Sequence, residues 1–282
     1  MLAKTFSRSL MLAVSLLSLT AGAADLKADA KSTIKTKPSK PLSEQIYFDF
    51  ASVFHGPTVD RFGPISVNSR GNRDPKALFG FDNEANIAYL YDREREEGIG
   101  LDIQFSDDTE KPNKAFDMGD VGLKWFRHNT IDNGDLIVST DAYLQAPTSV
   151  DSREDHMQWA FDTTPYVIYN VPGTRWRLGA WTEFRYRSGV DAGYVSRFYG
   201  APYVVYKMND KIWLQLLAES RTDHEVGKDW YVFRNTRTDI QPGVIWRVTP
   251  NVKIMPHLVY FPDNPKALEQ MSVAVTVYAR VL

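Results

Sequence analysis

Residues 176–187, near the middle of the chain, read WRLGAWTEFRYR. Successive side chains of a β-strand point to opposite faces, so every second residue shares a face. One face of this stretch carries Trp176, Leu178, Ala180, Thr182, Phe184 and Tyr186, and the other carries Arg177, Gly179, Trp181, Glu183, Arg185 and Arg187. The pattern predicts a strand with one apolar and one charged face.

Two architectures accommodate such a strand. A soluble sandwich packs the apolar face into a core, whereas a transmembrane barrel turns it toward lipid and turns the charged face toward a lumen. Segments with the same alternation recur from Ile46 to the end of the chain, and residues 99–105 are the clearest example. We count about twelve such segments of roughly ten residues each.

The lengths of the connections favour the barrel. Long and short connections alternate almost throughout, and the short ones contain turn formers such as Asn133-Gly134 and Pro172-Gly173. Outer-membrane barrels have short turns at one end and longer loops at the other. The connections of a Greek-key sandwich do not alternate regularly between long and short. The sequence therefore predicts an all-β fold: a closed antiparallel up-and-down transmembrane β-barrel of about twelve strands.

The first residues have the features of a secretory signal peptide, which we assign to residues 1–23. Lys4 and Arg8 precede an apolar run at 10–19, and small residues follow at 21–23. The alternative, a membrane anchor, requires about 20 apolar residues. Residues 24–45 are rich in Lys, Ser, Thr and Pro and predict a flexible periplasmic segment, and residues 46–282 form the predicted barrel.

Composition excludes several classes of protein. The chain has no cysteine, which excludes a lipid-modified cysteine anchor and any disulfide. Its net charge is −2, and removing Lys4 and Arg8 subtracts two positive charges and leaves −4. This balance argues against nucleic acid as a partner. No glycine-rich loop follows a strand and opens a helix, so no nucleotide or other cofactor is expected.

With the signal peptide, the even strand count, the loop rhythm and the terminal strand at 271–282, the chain resembles bacterial outer-membrane β-barrel proteins of about twelve strands, which are porin-like. The resemblance implies a monomer in the outer membrane of a Gram-negative bacterium, with both termini in the periplasm. It also implies contacts with outer-membrane lipid and with the assembly machinery. Barrels of this family usually end in an aromatic residue, most often Phe, whereas this chain ends in Leu282.

Charged residues on the predicted lumen face are unevenly distributed along the chain. The acidic arc comes first and consists of Asp49, Glu84, Asp102, Asp141 and Asp162. The basic arc follows and consists of Arg177, Arg185, Arg187, Arg197, Lys207, Arg221, Arg247, Lys253 and Arg280. In a closed barrel the two arcs face each other, and opposed charges orient water and select polar solutes. The alternative is a salt-bridged network that fills a narrow barrel.

These features predict a channel for passive diffusion of small hydrophilic solutes, with anions favoured because bases outnumber acids. The alternative is a non-conducting structural or surface-interaction barrel whose long loops carry the function. A third hypothesis is an outer-membrane lipid hydrolase, which needs a histidine beside a serine. His55 precedes a polar loop with Ser66, Asn68 and Ser69, but no histidine has the spacing such enzymes require, so we predict no enzyme.

Two acidic loop patches are candidates for a surface calcium site. They lie at residues 107–108 and 151–155, and neither has the spacing of a calcium-binding EF-hand loop. Solvated loops explain these patches better than a calcium site does, so we predict no metal site.

Overall fold

The computed structural model describes residues 45–58, 66–67, 73–74, 80–92, 94–108, 116–262 and 271–281. Twelve antiparallel strands in these ranges close into a barrel, which confirms the predicted fold class. They are β1 (Ile46–Thr58), β2 (Gly80–Asp92), β3 (Glu97–Asp108), β4 (Phe116–Asp132), β5 (Leu136–Ala146), β6 (Trp159–Asn170), β7 (Trp176–Ser188), β8 (Tyr194–Lys207), β9 (Ile212–Glu225), β10 (Arg234–Thr249), β11 (Val252–Val259) and β12 (Ser272–Val281).

Little else among the described residues is regular. A short helix α1 (Val150–Glu154) lies between β5 and β6, and two-residue strands Ser66–Val67 and Arg73–Asp74 pair between β1 and β2 in sequence. No helix in the described part of the chain is long and apolar enough to cross a membrane. The predicted signal peptide and the predicted periplasmic segment lie outside the described residues, except for Gln45.

The barrel closes because the first strand pairs on both of its edges. β1 pairs with β2, where Phe48 lies opposite Ile87, and with β12, where Phe48 lies opposite Val281. Every other strand pairs with its neighbours in sequence, in an up-and-down order. Closure leaves no strand of the barrel with an unpaired edge, which is the condition for a β-sheet to cross a bilayer.

The barrel has a short-turn end and a long-loop end. The short-turn end carries the connections at 93–96, 133–135, 171–175, 208–211 and 250–251, together with the start of β1 and the end of β12. Gly134 and Gly173 have φ angles of 87° and 69° there, in the left-handed region that these turns require. At the long-loop end β1 continues to Thr58, and His55 still pairs with Gly80 and Ala274.

The outer face is apolar at mid-height. Leu101, Leu123 and Leu144 lie side by side on β3, β4 and β5, and their exposed fractions are 49%, 55% and 52%. A continuous exposed leucine surface is unfavourable in water and favourable against lipid tails. The exposed leucines therefore mark the face that the sequence pattern assigned to lipid.

Aromatic side chains flank the apolar face at both ends. Near the short-turn end, Trp125 donates a hydrogen bond from Nε1 to the Tyr91 hydroxyl at 3.0 Å, and the Trp176 and Tyr206 rings are 4.8 Å apart. Near the long-loop end the Trp159 and Tyr186 rings are 5.8 Å apart. Two aromatic zones separated by an apolar zone match the two interfaces of a bilayer.

Leu101→Arg or Leu123→Arg should destabilise the barrel by about 2–4 kcal/mol, because each places a cation near the bilayer midplane. Gln104→Arg, three residues away on the inner face, is the matched control and should have a much smaller effect. Reversible urea unfolding from lipid vesicles measures the difference. Equal effects of the inner and outer substitutions would show that the two faces are assigned incorrectly.

Candidate functional site

The inner face of the barrel is polar, and many of its charged side chains are buried. Asp102 on β3 and Asp239 on β10 are both 0% exposed, and Lys124 and Asp141 are also buried. A charge removed from water needs a partner of opposite charge or several hydrogen bonds. The ion pairs and hydrogen bonds of the acidic and basic arcs therefore determine how many of their charged groups can interact with a solute.

The two arcs meet and pair at their borders. At the β1–β12 border, Arg280 donates two hydrogen bonds to Asp49, at 2.7 and 3.0 Å. At the β6–β7 border, Arg185 donates to Asp162 at 2.6 and 2.8 Å. The sequence pattern assigned these residues to facing walls, but barrel closure places each pair on adjacent strands. The charges at both borders are therefore neutralised locally.

The remaining acidic-arc residues have partners on their own wall. Lys124 forms a 2.9 Å ion pair with Asp141. Gln104 donates to Asp102 at 3.1 Å, and Asn86 donates to Glu84 at 2.8 Å. The acidic arc thus forms a hydrogen-bonded lining on β1–β6 rather than a row of free carboxylates.

Sequence reasoning missed an ion-pair network on β9 and β10. Arg237 forms an ion pair with Glu219 at 3.2 Å and also contacts Asp239, which accepts a 2.8 Å hydrogen bond from Gln241. Asp223 forms ion pairs with Arg197 and Arg221 at 2.9 and 3.3 Å. Asp223 and Arg237 lie near the long-loop ends of β9 and β10, beyond the apolar repeat of each strand. Extending the two-residue alternation by one more repeat in each strand would have found them.

Aromatic side chains also line the inner wall. Tyr166, Trp181 and Tyr199 follow one another on β6, β7 and β8, with ring centroids 6.4 and 4.5 Å apart. Gly179, the next inward position on β7, lies under the Tyr203 ring, where a Cβ atom would come within 2.2 Å of the ring. The interior at this height therefore combines flat aromatic walls with the ion pairs.

A cavity of about 1160 Å³ opens at the long-loop end. Its lining includes eleven acidic residues and four arginines, namely Arg185, Arg187, Arg197 and Arg221. Each of these arginines lies within ion-pair distance of a carboxylate. Acidic residues outnumber arginines in this lining, so the cavity carries excess negative charge.

The loop between β5 and β6 supplies part of the cavity wall. Ser149 caps α1 by accepting a 3.0 Å hydrogen bond from the backbone N–H of Ser152. Asp120 on β4 accepts hydrogen bonds from the backbone of Ser149 and from the Ser152 hydroxyl, which ties the loop to the barrel. Asp155, just after α1, thereby reaches Arg187 at 2.7 Å.

The short-turn end holds the other basic-arc residues. Arg177 and Arg247 lie against the Trp213 ring, with guanidinium carbons 5.0 and 5.3 Å from its centroid, and Lys253 lies 5.3 Å from the centroid of Tyr278. None of these three cations has a carboxylate within ion-pair distance among the described residues. Lys207 is largely exposed at the rim, and its 2.8 Å ion pair with Asp210 lowers the pKa of that turn carboxyl.

The histidines lie beside carboxylates rather than hydroxyls. His55 is 3.0 Å from Asp82, and His156 is 2.5 Å from Asp191. His128 lies 3.5 Å from Asp141 and 3.4 Å from Glu96. Its hydrogen bond to Glu96 lowers the pKa of the Glu96 carboxyl, which lies in the turn before β3. In the described ranges no serine hydroxyl bonds to a histidine ring.

The other loop candidates fall largely outside the described part. Asn68 and Ser69 are not among the described residues, and neither are the side chains of Ser66 or of residues 107–108. Within the described ranges no group of three or more histidine, aspartate or glutamate side chains is arranged to hold a metal ion.

Comparisons with known proteins identify the fold. No protein-family model matches the sequence, and no curated protein matches it. The structure is similar to the COG4313 outer membrane channel from Pseudomonas putida F1, with a TM-score of 0.52, 12% identity and coverage of 89% of this chain and 100% of that chain. The chain thus shares the fold of an outer-membrane β-barrel, as the sequence resemblance implied, and no specific subfamily is identified.

Two further solved barrels show weaker likeness. The NanC porin gives a TM-score of 0.47 at 7% identity, covering 83% of this chain and 100% of that one. A loop L8 deletion mutant of OmpT, an outer membrane protein of Vibrio cholerae, gives 0.45 at 8% identity, covering 84% and 98%.

The Asp162–Arg185 pair generates a stability prediction. Arg185→Gln should destabilise the barrel by about 3 kcal/mol, because it leaves the buried Asp162 carboxylate without its cation. Asp162→Asn combined with Arg185→Gln should recover part of that loss, since the buried Asp162 charge is then removed together with its cation, and only the 3.4 Å ion pair of Arg185 with Glu183 stays broken. A double-mutant cycle of urea unfolding measures the coupling. A coupling near zero would mean that the pair is hydrated and contributes little.

Proposed function

We propose that the protein is an outer-membrane channel for passive diffusion of small hydrophilic solutes in a Gram-negative bacterium. The observation that carries this proposal is a closed barrel whose outer face is apolar at mid-height and whose inner face is polar and opens into a cavity of about 1160 Å³. A polar cavity of this size holds many water molecules. A polar lumen inside a lipid-facing barrel is the arrangement that water-filled porins use.

The preference for anions is a finer part of the proposal, and we assign it to the short-turn end. No described carboxylate lies within ion-pair distance of Arg177, Arg247 or Lys253. The arginines of the long-loop cavity are paired, and acidic residues outnumber them there. The cavity thus attracts cations and the short-turn end attracts anions.

A non-conducting structural or surface-interaction barrel is the second candidate. Its support is the set of fully or nearly buried charges at mid-height, including Asp102, Lys124 and Asp239. Side chains that line a wide aqueous pore keep more of their surface in contact with water. The lipid hydrolase hypothesis has weaker support, because the described histidine rings contact carboxylates or, for His224 and His257, backbone carbonyls.

The proposed location is the outer membrane, with the short-turn end and both termini in the periplasm. Short turns face the periplasm and longer loops face outward in barrels of this kind. The proposed partners are outer-membrane lipid, the assembly machinery that inserts barrels, and the solutes themselves.

The protein should fractionate with outer membranes and migrate differently on gels before and after heating, because a closed barrel resists detergent until heated. Recovery in the soluble periplasmic fraction would contradict the proposed location.

Planar-bilayer recording separates the two main candidates. The purified protein should give discrete conductance steps if the lumen is open, and the non-conducting candidate predicts none. In a salt gradient, Lys253→Gln should shift the reversal potential toward cations and Glu84→Gln should shift it toward anions, because each removes one charge from the inner wall. Lys228→Gln, on an exposed loop outside the cavity lining, is the control and should leave the potential nearly unchanged. Shifts in the opposite directions would contradict the proposed charge distribution.

A further inference from the structure

Four side chains from strands β7, β9, β10 and β11 form a donor cluster at the short-turn end. Arg177 on β7, Trp213 on β9, Arg247 on β10 and Lys253 on β11 all lie on the inner face. The two guanidinium groups lie 5.0 and 5.3 Å from the Trp213 ring centroid. Arg247 lies directly opposite Lys253 in the β10–β11 register.

The cluster is rich in hydrogen-bond donors that no described residue accepts. The indole N–H of Trp213 is buried and has no hydrogen-bond partner among the described residues. Arg177 uses its Nε–H on Asn170 at 2.8 Å, which leaves the rest of its guanidinium free. Arg247 and Lys253 have no ion pair with any described carboxylate. A buried donor without an acceptor is costly in free energy, so an acceptor that enters this cluster is favoured.

Two carboxylates toward the short-turn end, those of Asp49 and Asp210, already have partners. Asp49 accepts two hydrogen bonds from Arg280, and Asp210 is exposed and paired with Lys207 at 2.8 Å. These two ion pairs contribute no net charge, so the cluster keeps the three positive charges of Arg177, Arg247 and Lys253. All three side chains are half-buried, which keeps them within reach of a solute in the lumen.

We propose that this donor cluster binds the oxyanion group of a small solute, a carboxylate or a phosphate. The inference deepens the proposed channel function and rests on it for the route by which the solute arrives. Guanidinium groups present paired N–H donors that match the oxygens of carboxylates and phosphates. The indole N–H supplies a further donor, and the Trp213 ring holds both arginines by cation–π contact. The cluster is thus built for an anion, in contrast to the paired arginines of the long-loop cavity.

Binding can be measured without any conductance. The full chain, purified in detergent, is unfolded by heat in increasing inorganic phosphate, with chloride adjusted to keep ionic strength constant. A parallel series uses succinate, which distinguishes carboxylate from phosphate recognition. We expect the unfolding temperature to rise with phosphate, with succinate or with both, because a ligand that binds only the folded state stabilises it.

Arg247→Gln is the test variant, because its side chain makes no hydrogen bond whose loss would leave a partner unpaired. It should raise the half-saturating anion concentration about tenfold, the loss expected for one charge-assisted hydrogen bond. Lys228→Gln removes a positive charge from an exposed loop at the opposite end and should leave the half-saturating concentration unchanged. Lys253→Gln is the second variant and carries the same expectation if Arg247→Gln fails to fold.

Two outcomes would overturn the inference. One is an unfolding temperature that responds to neither anion at constant ionic strength. The other is an anion response that the cluster variants retain in full.

Failure of the site and failure of the channel are distinguishable. A response to anions without conductance would leave the site intact and reject the channel, and conductance without a response would reject the site alone.

Discussion

Closure of the sheet is the constraint on which the rest of this structure depends. Lipid tails offer no hydrogen bonds, so every backbone N–H and C=O group at membrane depth must be paired within the protein. The pairing of β1 with β12 meets this condition, because it removes the two edges that an open twelve-stranded sheet would have. Closure also gives every strand one face toward lipid and one toward the interior. The alternating sequence pattern follows directly from that requirement.

Closure brings together charges that are far apart in sequence. An inward charge in a narrow barrel has little water around it, so its nearest neighbours determine its state. On β1–β6 and on much of β7–β10 the neighbours are opposite charges or side-chain amides, and the result is a set of local ion pairs and hydrogen bonds. Near the short turns of β7–β11 the neighbours are aromatic rings or other cations. The uneven pairing gives the interior two ends of different electrical character.

Much of the fold was predictable from sequence, and much of the interior was not. The alternation in Trp176–Ser188 identified the strand and its two faces, because burial on one side of a sheet has a period of two residues. The partner of Arg280 could not be identified in this way, since Asp49 lies 231 residues away and the pairing depends on the register of the closed barrel. Counting the charged residues of the two arcs therefore overestimated the number of arginines without an ion pair.

Strand ends account for the other omissions. Asp223 and Arg237 lie near the long-loop ends of their strands, and their roles depend on how far β9 and β10 extend beyond the apolar repeat. Polar residues at such positions fit a loop and an inward-facing strand equally well. The Trp213 cluster was also beyond sequence reasoning. Its four members lie on four different strands, and only the registers of β7–β11 place them side by side.

The ion pair between Asp49 and Arg280 has a consequence for the order in which the chain folds. Joining two segments directly across more than 200 residues costs about 3–4 kcal/mol more chain entropy than forming a tight hairpin. The hairpins between consecutive strands therefore form first, and the curved sheet that they build brings its two free edges together. Asp49 and Arg280 meet only at that last step. The ion pair between Asp49 and Arg280 therefore exists only in the closed barrel, and its formation marks the completion of folding.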